Sequence, residues 1–529
     1  MKQMVLFLAM VLLGGHALAA PPLRSVMPMR LADGTVTVPT DVGMSAMAVG
    51  GCCASQALLG DGRYLQHAGS PRILTILAAF QDVGFTVNDP VRAFDQYLNA
   101  DTLEDLGNQN QMNIASVRRY FGSSSNGRFT PQFDVVGPVT LPHAMAYYGG
   151  KAATGSDDLF SAFCKDAMEL AKGEVGDWHV YDNDQDGYVE LVCIVFAGFG
   201  QNQGGADSTL WAKASYQGVE VGDGLRISRF NCSPERFHPQ MPDMINGTGV
   251  FIHEMSHCMG LPDLYATRSS GYVNNQGMET WSVMDYGLYN RNGFAPCPYT
   301  AWEQEIMGWT TLTDVGMLME EGKCRVNALL PLIEGGRAYK MANTGNDREF
   351  IVMENIQKRG LNQYANGHGL LVYHVDYPYG TVNMGDAPNN VAGHPAVAVV
   401  PAGGMLVSSY LRGEGKQYTR DEWKQSLAWA PFPGTEGVVT LNDQMALPNY
   451  CFWDGSTSKA TGFTLSGISE DEATGTVSFL AAYKDPSGIK EVSGKMIDAS
   501  GFVYDLQGRR VADPTNGIYI VNGKKILIR

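Results

Sequence analysis

Apolar positions along the chain fall into two regimes that change near residue 314. Before it, short solid apolar runs alternate with helically spaced segments. Residues 72–80 read as a buried strand. Asp89-Pro90 starts a helix running through Phe94 and Leu98, since proline at the first helical turn gives up an N–H with no partner there. Residues 117–121 continue a second helix, broken at Gly122. Residues 133–137 and 139–141 are strand-like, and 157–171 carry Phe160, Phe163, Met168 and Leu170 at helical spacing. Residues 191–196 are a buried strand, and residues 298–307 read as a helix with Pro298 at its start. After Asp314 short alternating runs dominate (324–330, 349–354, 369–375 and 476–480), with turn signals between them, the pattern of a β-sandwich. Residues 484–489 resemble a linker, and two short strands around 501–506 and 517–521 make a small β-module. The class is α+β. The divisions are 1–19, 20–70, 71–312, 313–483 and 484–529.

Composition narrows the function. The chain has 529 residues, too many for one ordinary core. With 44% apolar and 17% charged residues it is globular, and a net charge of −16 argues against nucleic acid as a partner. Residues 1–19 read as a secretory signal: Lys2, an apolar run from Met4 to Leu13, and Ala17-Leu18-Ala19 before the cut. No run is long enough to span a bilayer as a transmembrane segment. The expected location is secreted or at the cell surface. Residues 20–70 make a poor core and read as a pro-like segment. The nine cysteines show no metal-ligand spacing. Cys52-Cys53 could cap a metal to hold an enzyme latent, or form a local disulfide, or do neither.

The chemistry centres on residues 251–263. His253 and His257 are four apart, so on a helix their imidazoles share one face and can grip one zinc ion. Glu254 stands beside them as a general base for a water on the metal. Gly260 can end the helix in a left-handed conformation, after which Asp263 supplies a third ligand. Asn246 or Thr248 is available as N-cap. A second motif alternates Asp182, Asp184 and Asp186 before Gly187, as in the opening of an EF-hand calcium loop. It departs from that pattern at position twelve, which is Cys193, and Glu190 is the alternative ligand for Ca2+; the competing reading is an acidic turn entering a strand. His368, His374 and Asp376 are read as structural, because no third and fourth ligand accompanies them.

These residues carry a family resemblance. Ser282-Val283-Met284-Asp285-Tyr286-Gly287 is similar to the methionine turn of metzincin-type proteases. The resemblance places Met284 as the floor of the zinc pocket and lets Tyr286 donate to the oxyanion, a core tyrosine being the alternative. In zincin-type proteases the strand before the active helix rims the cleft and pairs with substrate. Leu210, Trp211 and Ala212, within 209–215, are the candidates, a plain internal segment being the alternative. Over residues 71–480 the chain resembles the immune inhibitor A-type secreted metallopeptidases. It does so through His253-Glu254-x-x-His257-x-x-Gly260-x-x-Asp263, the Met284 turn, residues 133–138, the Asp182 loop and residues 367–376. The resemblance implies a zincin-type catalytic domain and a secreted zinc metalloendopeptidase acting on protein or peptide substrates, with Zn2+ on His253, His257 and Asp263. The last forty residues are similar to C-terminal sorting domains of type IX secretion, through residues 503–509 and 517–519. That implies secretion machinery and cell-surface attachment as partners. The rival readings are a surface adhesin or binding protein on an inactive peptidase fold, and a calcium-stabilised structural protein.

Overall fold

The computed structural model describes residues 18–19, 59, 63–149, 157–267, 277–405 and 419–484, and strand residues 489–492, 503–504, 510–511, 517–521 and 524–528. Most of the signal and pro-like segments, with Cys52 and Cys53, and most of the 484–489 linker lie outside the described residues. The chain divides into two units: Met1–Thr311 with Lys358–Asn366 and Tyr379–Pro395, and Leu312–Gln357 with Gly367–Pro378 and Ala396–Arg529. Two stretches of the 313–483 division therefore belong to the first unit.

The first unit is built on a seven-stranded sheet. In chain order its strands are β1 (Leu18–Ala19), β2 (Arg72–Ala79), β3 (Gln132–Thr140), β4 (Tyr188–Phe199), β5 (Lys213–Gly222), β6 (Leu225–His238) and β7 (Met241–Ile245). The spatial order is β1-β5-β6-β4-β2-β3, with β7 also on β6. β2, β3, β4 and β6 run parallel to their neighbours in that set, whereas β5 is antiparallel to β6. The apolar runs of β2 and β4 are buried nearly throughout, as expected of parallel strands covered on both faces.

Helices supply the cover. α1 (Pro90–Asn99) starts at Asp89, whose side chain accepts from Arg92 N, and buries Ala93, Phe94, Tyr97 and Leu98. α2 (Val117–Ser124) is capped by Ser116. After the short α3 (Met145–Gly149), α4 (Asp157–Ala171) lays Phe160, Phe163, Ala167 and Met168 into one core with Leu74, Ile76 and Ala78 of β2. These alternate β2 residues share one face because strand side chains repeat every two residues. α5 (Thr248–Cys258) is buried along its whole length, and Phe251 lies edge-on to Tyr97 and Phe133 at 6.1 and 5.9 Å. Burying one such ring is worth ~1.5–3 kcal/mol. Gly249 allows this seat, since a Cβ there would stand 1.9 Å from Leu288 O. α6 (Ala301–Ile306) carries a capping box of Thr300 and Glu303. It starts later than the 298–307 expectation because Thr300, not Pro298, satisfies its first amides.

The second unit holds a five-stranded sheet and a four-stranded one. The first comprises β8 (Thr313–Asp314), β10 (Tyr339–Asn343), β11 (Asn346–Ile356), β12 (Gly369–Asp376) and β13 (Val397–Val399). The other comprises β9 (Lys323–Leu329), β14 (Thr440–Asn442), β15 (Phe463–Asp471) and β16 (Thr476–Tyr483). Met341, Ile351, Met353 and Val372 from one sheet meet Val326, Leu465, Val477 and Phe479 from the other in one core. Two sheets sharing one core is the layering that alternating runs demand. Among the described residues the C-terminal strands number five rather than two: Ile489–Val492, Val503–Tyr504, Arg510–Val511, Gly517–Val521 and Lys524–Ile528 form one sheet. No helix among the described residues is long and apolar enough to cross a membrane.

Candidate metal centre and active site

α5 presents His253 and His257 on one side, their rings 4.7 Å apart and nearly perpendicular. The helix does not use Asn246 or Thr248 as its cap. Gly247 is the N-cap, and the remote Asn113 accepts from Thr248 N at 2.9 Å, while Asn246 Oδ1 accepts from Gln203 at 2.9 Å. At the other end Gly260 takes φ 101° and donates to His257 O, and Leu261 N donates to Ser256 O. This is the reversal expected from the sequence, and it returns the chain so that Asp263 faces both histidines.

The geometry is that of a ligand set. Asp263 Oδ1 lies 3.3 Å from His253 Nε2 and 3.2 Å from His257 Nε2, and all three residues are buried. Each histidine directs Nδ1 at a carbonyl, His253 at Val283 O (2.9 Å) and His257 at Leu261 O (2.8 Å). A carbonyl only accepts, so Nδ1 carries the proton and each Nε2 keeps its lone pair. His253 Nε2, His257 Nε2 and Asp263 Oδ1 are buried without hydrogen-bond partners. Ligand atoms at ~2.0–2.2 Å from a tetrahedral zinc stand roughly 3.3–3.6 Å apart. The three atoms therefore fit a zinc ion and are costly to bury without one. Burial lowers the pKa of His253. Burial works to raise Asp263, but His257 and His253 outweigh it and hold the carboxyl at about 2. Burial thus favours the neutral, metal-binding form of His253.

The Ser282–Gly287 turn works through its main chain. Val283 O orients His253, and Met284 O accepts from Leu264 N at 2.8 Å, fixing the residue after Asp263. Ser282 Oγ holds the turn by accepting from Met284 N and donating to Glu303 Oε1 at 2.6 Å. Asn389, on a stretch reached only after the β strands of the second unit have begun, donates to Leu264 O at 2.6 Å. Met284, Tyr286 and Glu254 are all buried, and Tyr286 lies 6.3 Å, ring to ring, from Tyr289.

Tyr265 belongs to the site and was not singled out from the sequence. Its ring stacks on His253 at 6.5 Å. Burial, then the Asp263 and Glu254 charges and a hydrogen bond to Asp263, hold its phenol well above the usual range. Its place two residues after Asp263 was the available signal.

The proposed rim needs correction in position. β5 begins at Lys213, so Leu210, Trp211 and Ala212 precede it. Their backbone is engaged by the preceding loop: Leu210 O accepts from Gln201 N at 2.8 Å, and Ala212 N donates to Asn202 Oδ1 at 3.4 Å. The edge of β5 lies at Lys213 and Ala214, where Ala19 and Leu18 of β1 pair antiparallel. In the second unit, His374 Nε2 lies 2.9 Å from Glu349 Oε1, which also accepts from Trp453 N. His368 pairs with Glu470 at 2.8 Å. These histidines are held by hydrogen-bonded partners, in keeping with a structural role.

Residues 70–309 match the immune inhibitor A peptidase M6 catalytic domain. The resemblance read from the sequence stands on this segment, which contains the whole His-His-Asp set. The chain is 26% identical over 234 residues to immune inhibitor A of Bacillus thuringiensis subsp. alesti, covering 38% of this chain and 34% of that protein. It is 24% identical over 259 residues to the pre-pro-metalloprotease PrtV of Vibrio cholerae serotype O1, covering 43% and 28%. The chain thus spans about a third of the length of these relatives. The match to a metallopeptidase catalytic domain implies a metal, and among the described residues His253, His257 and Asp263 are a set able to hold it.

Proposed function

We propose that the chain is a secreted zinc endopeptidase that hydrolyses peptide bonds in proteins. The observation that carries this reading is the convergence of two imidazole lone pairs and one carboxylate oxygen, buried and unsatisfied, on one point beside Glu254. When bound, zinc supplies Lewis acidity, lowering the pKa of a coordinated water and polarising the scissile carbonyl. His253, His257 and Asp263 would hold it. Glu254 takes a proton from the attacking water and passes it to the leaving amine. Tyr286 donates its hydroxyl to the carbonyl oxygen as negative charge develops there. Met284 and its turn keep His253 and Leu264 in place, and Tyr265 braces His253 and Asp263. The β5 edge at Lys213 and Ala214 would take an extended substrate by main-chain pairing. The signal read at 1–19 would direct export, and the C-terminal strands would serve sorting or surface attachment. Calcium enters only as a structural ion of the Asp182 loop.

An adhesin on an inactive fold would need neither the base nor the open metal set. Casein hydrolysis by the purified protein is expected to stop on treatment with 1,10-phenanthroline and to return with zinc. Hydrolysis that persists in a protein shown to be metal-free would sink the reading.

A further inference from the structure

We propose that Asp182, Asp184 and Glu190 form a calcium site at the entry to β4, with Asp186 shaping the loop rather than binding the ion. The inference goes beyond the zinc reading and does not depend on it. One carboxylate oxygen from each of the three residues lies within 4.8 Å of the other two. Oxygens sharing one calcium at 2.3–2.6 Å stand at most about 5 Å apart. Such clusters are common on surfaces, but Glu190 is not a surface residue. It is 2% exposed, and its Oε1 is buried with no hydrogen-bond partner. A carboxylate oxygen in that position costs free energy unless a cation meets it. No basic side chain among the described residues makes an ion pair with Asp182, Asp184 or Glu190; Arg63, from a segment distant in sequence, approaches Asp186 instead, at 3.9 Å.

The rest of the loop is organised around this cluster. Asp182 Oδ1 accepts from Asp186 N and Oδ2 from Gly187 N, at 3.1 and 3.0 Å, each oxygen keeping a second lone pair. Asp186 turns away: its Oδ1 accepts from Tyr188 N at 2.9 Å. Gln185 and Gly187 take φ 62° and 89°, which folds the three ligands inward. Asn183 links the loop to the sheet, accepting from Arg72 N and donating to Arg72 O and to Glu190 Oε2. An ion held here would therefore tie the start of β4 to the start of β2. Asp182 and Gly187 also line a cavity of about 460 Å³ with His179, Gln185, Asp223 and Gly224, which gives the ion a path from solvent. Carboxylate ligands without nitrogen or sulfur favour calcium over zinc, and an irregular loop suits calcium better than magnesium.

The test uses the full, zinc-loaded chain after removal of calcium with EGTA. Added calcium is expected to raise the Tm by about 5 °C or more when it stands 100-fold above its Kd. Terbium should bind with luminescence sensitised by the nearby aromatic residues, and calcium should displace it. Glu190→Gln should weaken calcium binding on the order of 100-fold, and in EGTA should be at least as stable as the parent, because it buries no uncompensated charge. Asp184→Asn, at an exposed ligand, should weaken binding without disturbing the fold, whereas Asp186→Asn should change it by no more than about threefold. No calcium-dependent shift in the parent, an equal shift with magnesium, or unchanged binding in Glu190→Gln and Asp184→Asn would each overturn the proposal. None of these readouts involves peptide hydrolysis, so failure here leaves the zinc reading untouched.

Discussion

Replacing Glu254 with alanine is expected to leave zinc content and fold intact while lowering kcat/KM on a peptide substrate by at least about 10³. The separation follows from placement. The three atoms able to hold the metal come from His253, His257 and Asp263, so Glu254 is free of that duty. It is a buried carboxylate one residue from His253, and on the proposed reading it serves as the base rather than as an anchor. Glu254→Gln should behave alike while preserving side-chain volume, which separates loss of proton transfer from loss of packing. Metal analysis and steady-state kinetics on the same sample make the check. Near-parental turnover in either variant would mean that the proton goes elsewhere.

Asp263→Asn should have the opposite signature, with zinc lost first and activity following. Outer-shell substitutions at metal sites typically cost 10–100-fold in affinity, and removing the charge of a direct ligand should cost more. The amide would also put an N–H₂ or a weaker oxygen against two Nε2 atoms 3.2 and 3.3 Å away. Competition with a fluorescent zinc chelator gives the affinity directly. Excess zinc should restore part of the activity of Asp263→Asn and none of that of Glu254→Ala. Zinc affinity in Asp263→Asn equal to that of the parent would remove Asp263 from the ligand set.

The parts of this centre that were legible in the sequence are those fixed by local rules. Helical spacing pairs His253 with His257, and Gly260 is where a left-handed residue must turn the chain toward Asp263. The runs 72–80 and 191–196 read as buried strands because β2 and β4, to which they belong, are buried on both faces. What was hidden depends on contacts distant in sequence. The cap of α5 comes from Asn113, more than a hundred residues away, and the brace on Leu264 comes from Asn389. Main-chain roles such as that of Val283 O carry no side-chain signature at all. The rim candidates Leu210, Trp211 and Ala212 lie just ahead of β5: they have strand-forming composition, yet Leu210 O and Ala212 N are already bonded to the preceding loop.

The residues just ahead of β2 set a limit on maturation. Leu65 N donates to Cys258 O at 3.1 Å, and His67 Nε2 lies 2.7 Å from Met259 O, with His67 O in turn accepting from Trp309 Nε1 at 2.6 Å. These bonds satisfy carbonyls at the C-terminal end of the helix that carries both histidines, where a helix has no partners of its own. The family match begins at residue 70 and so leaves them out. On the proposed reading, a maturation cut that keeps these bonds falls ahead of Leu65. A chain starting at Arg63 should fold and cleave casein, whereas one starting at Pro71 should lose the seat of its metal helix and, with it, its activity.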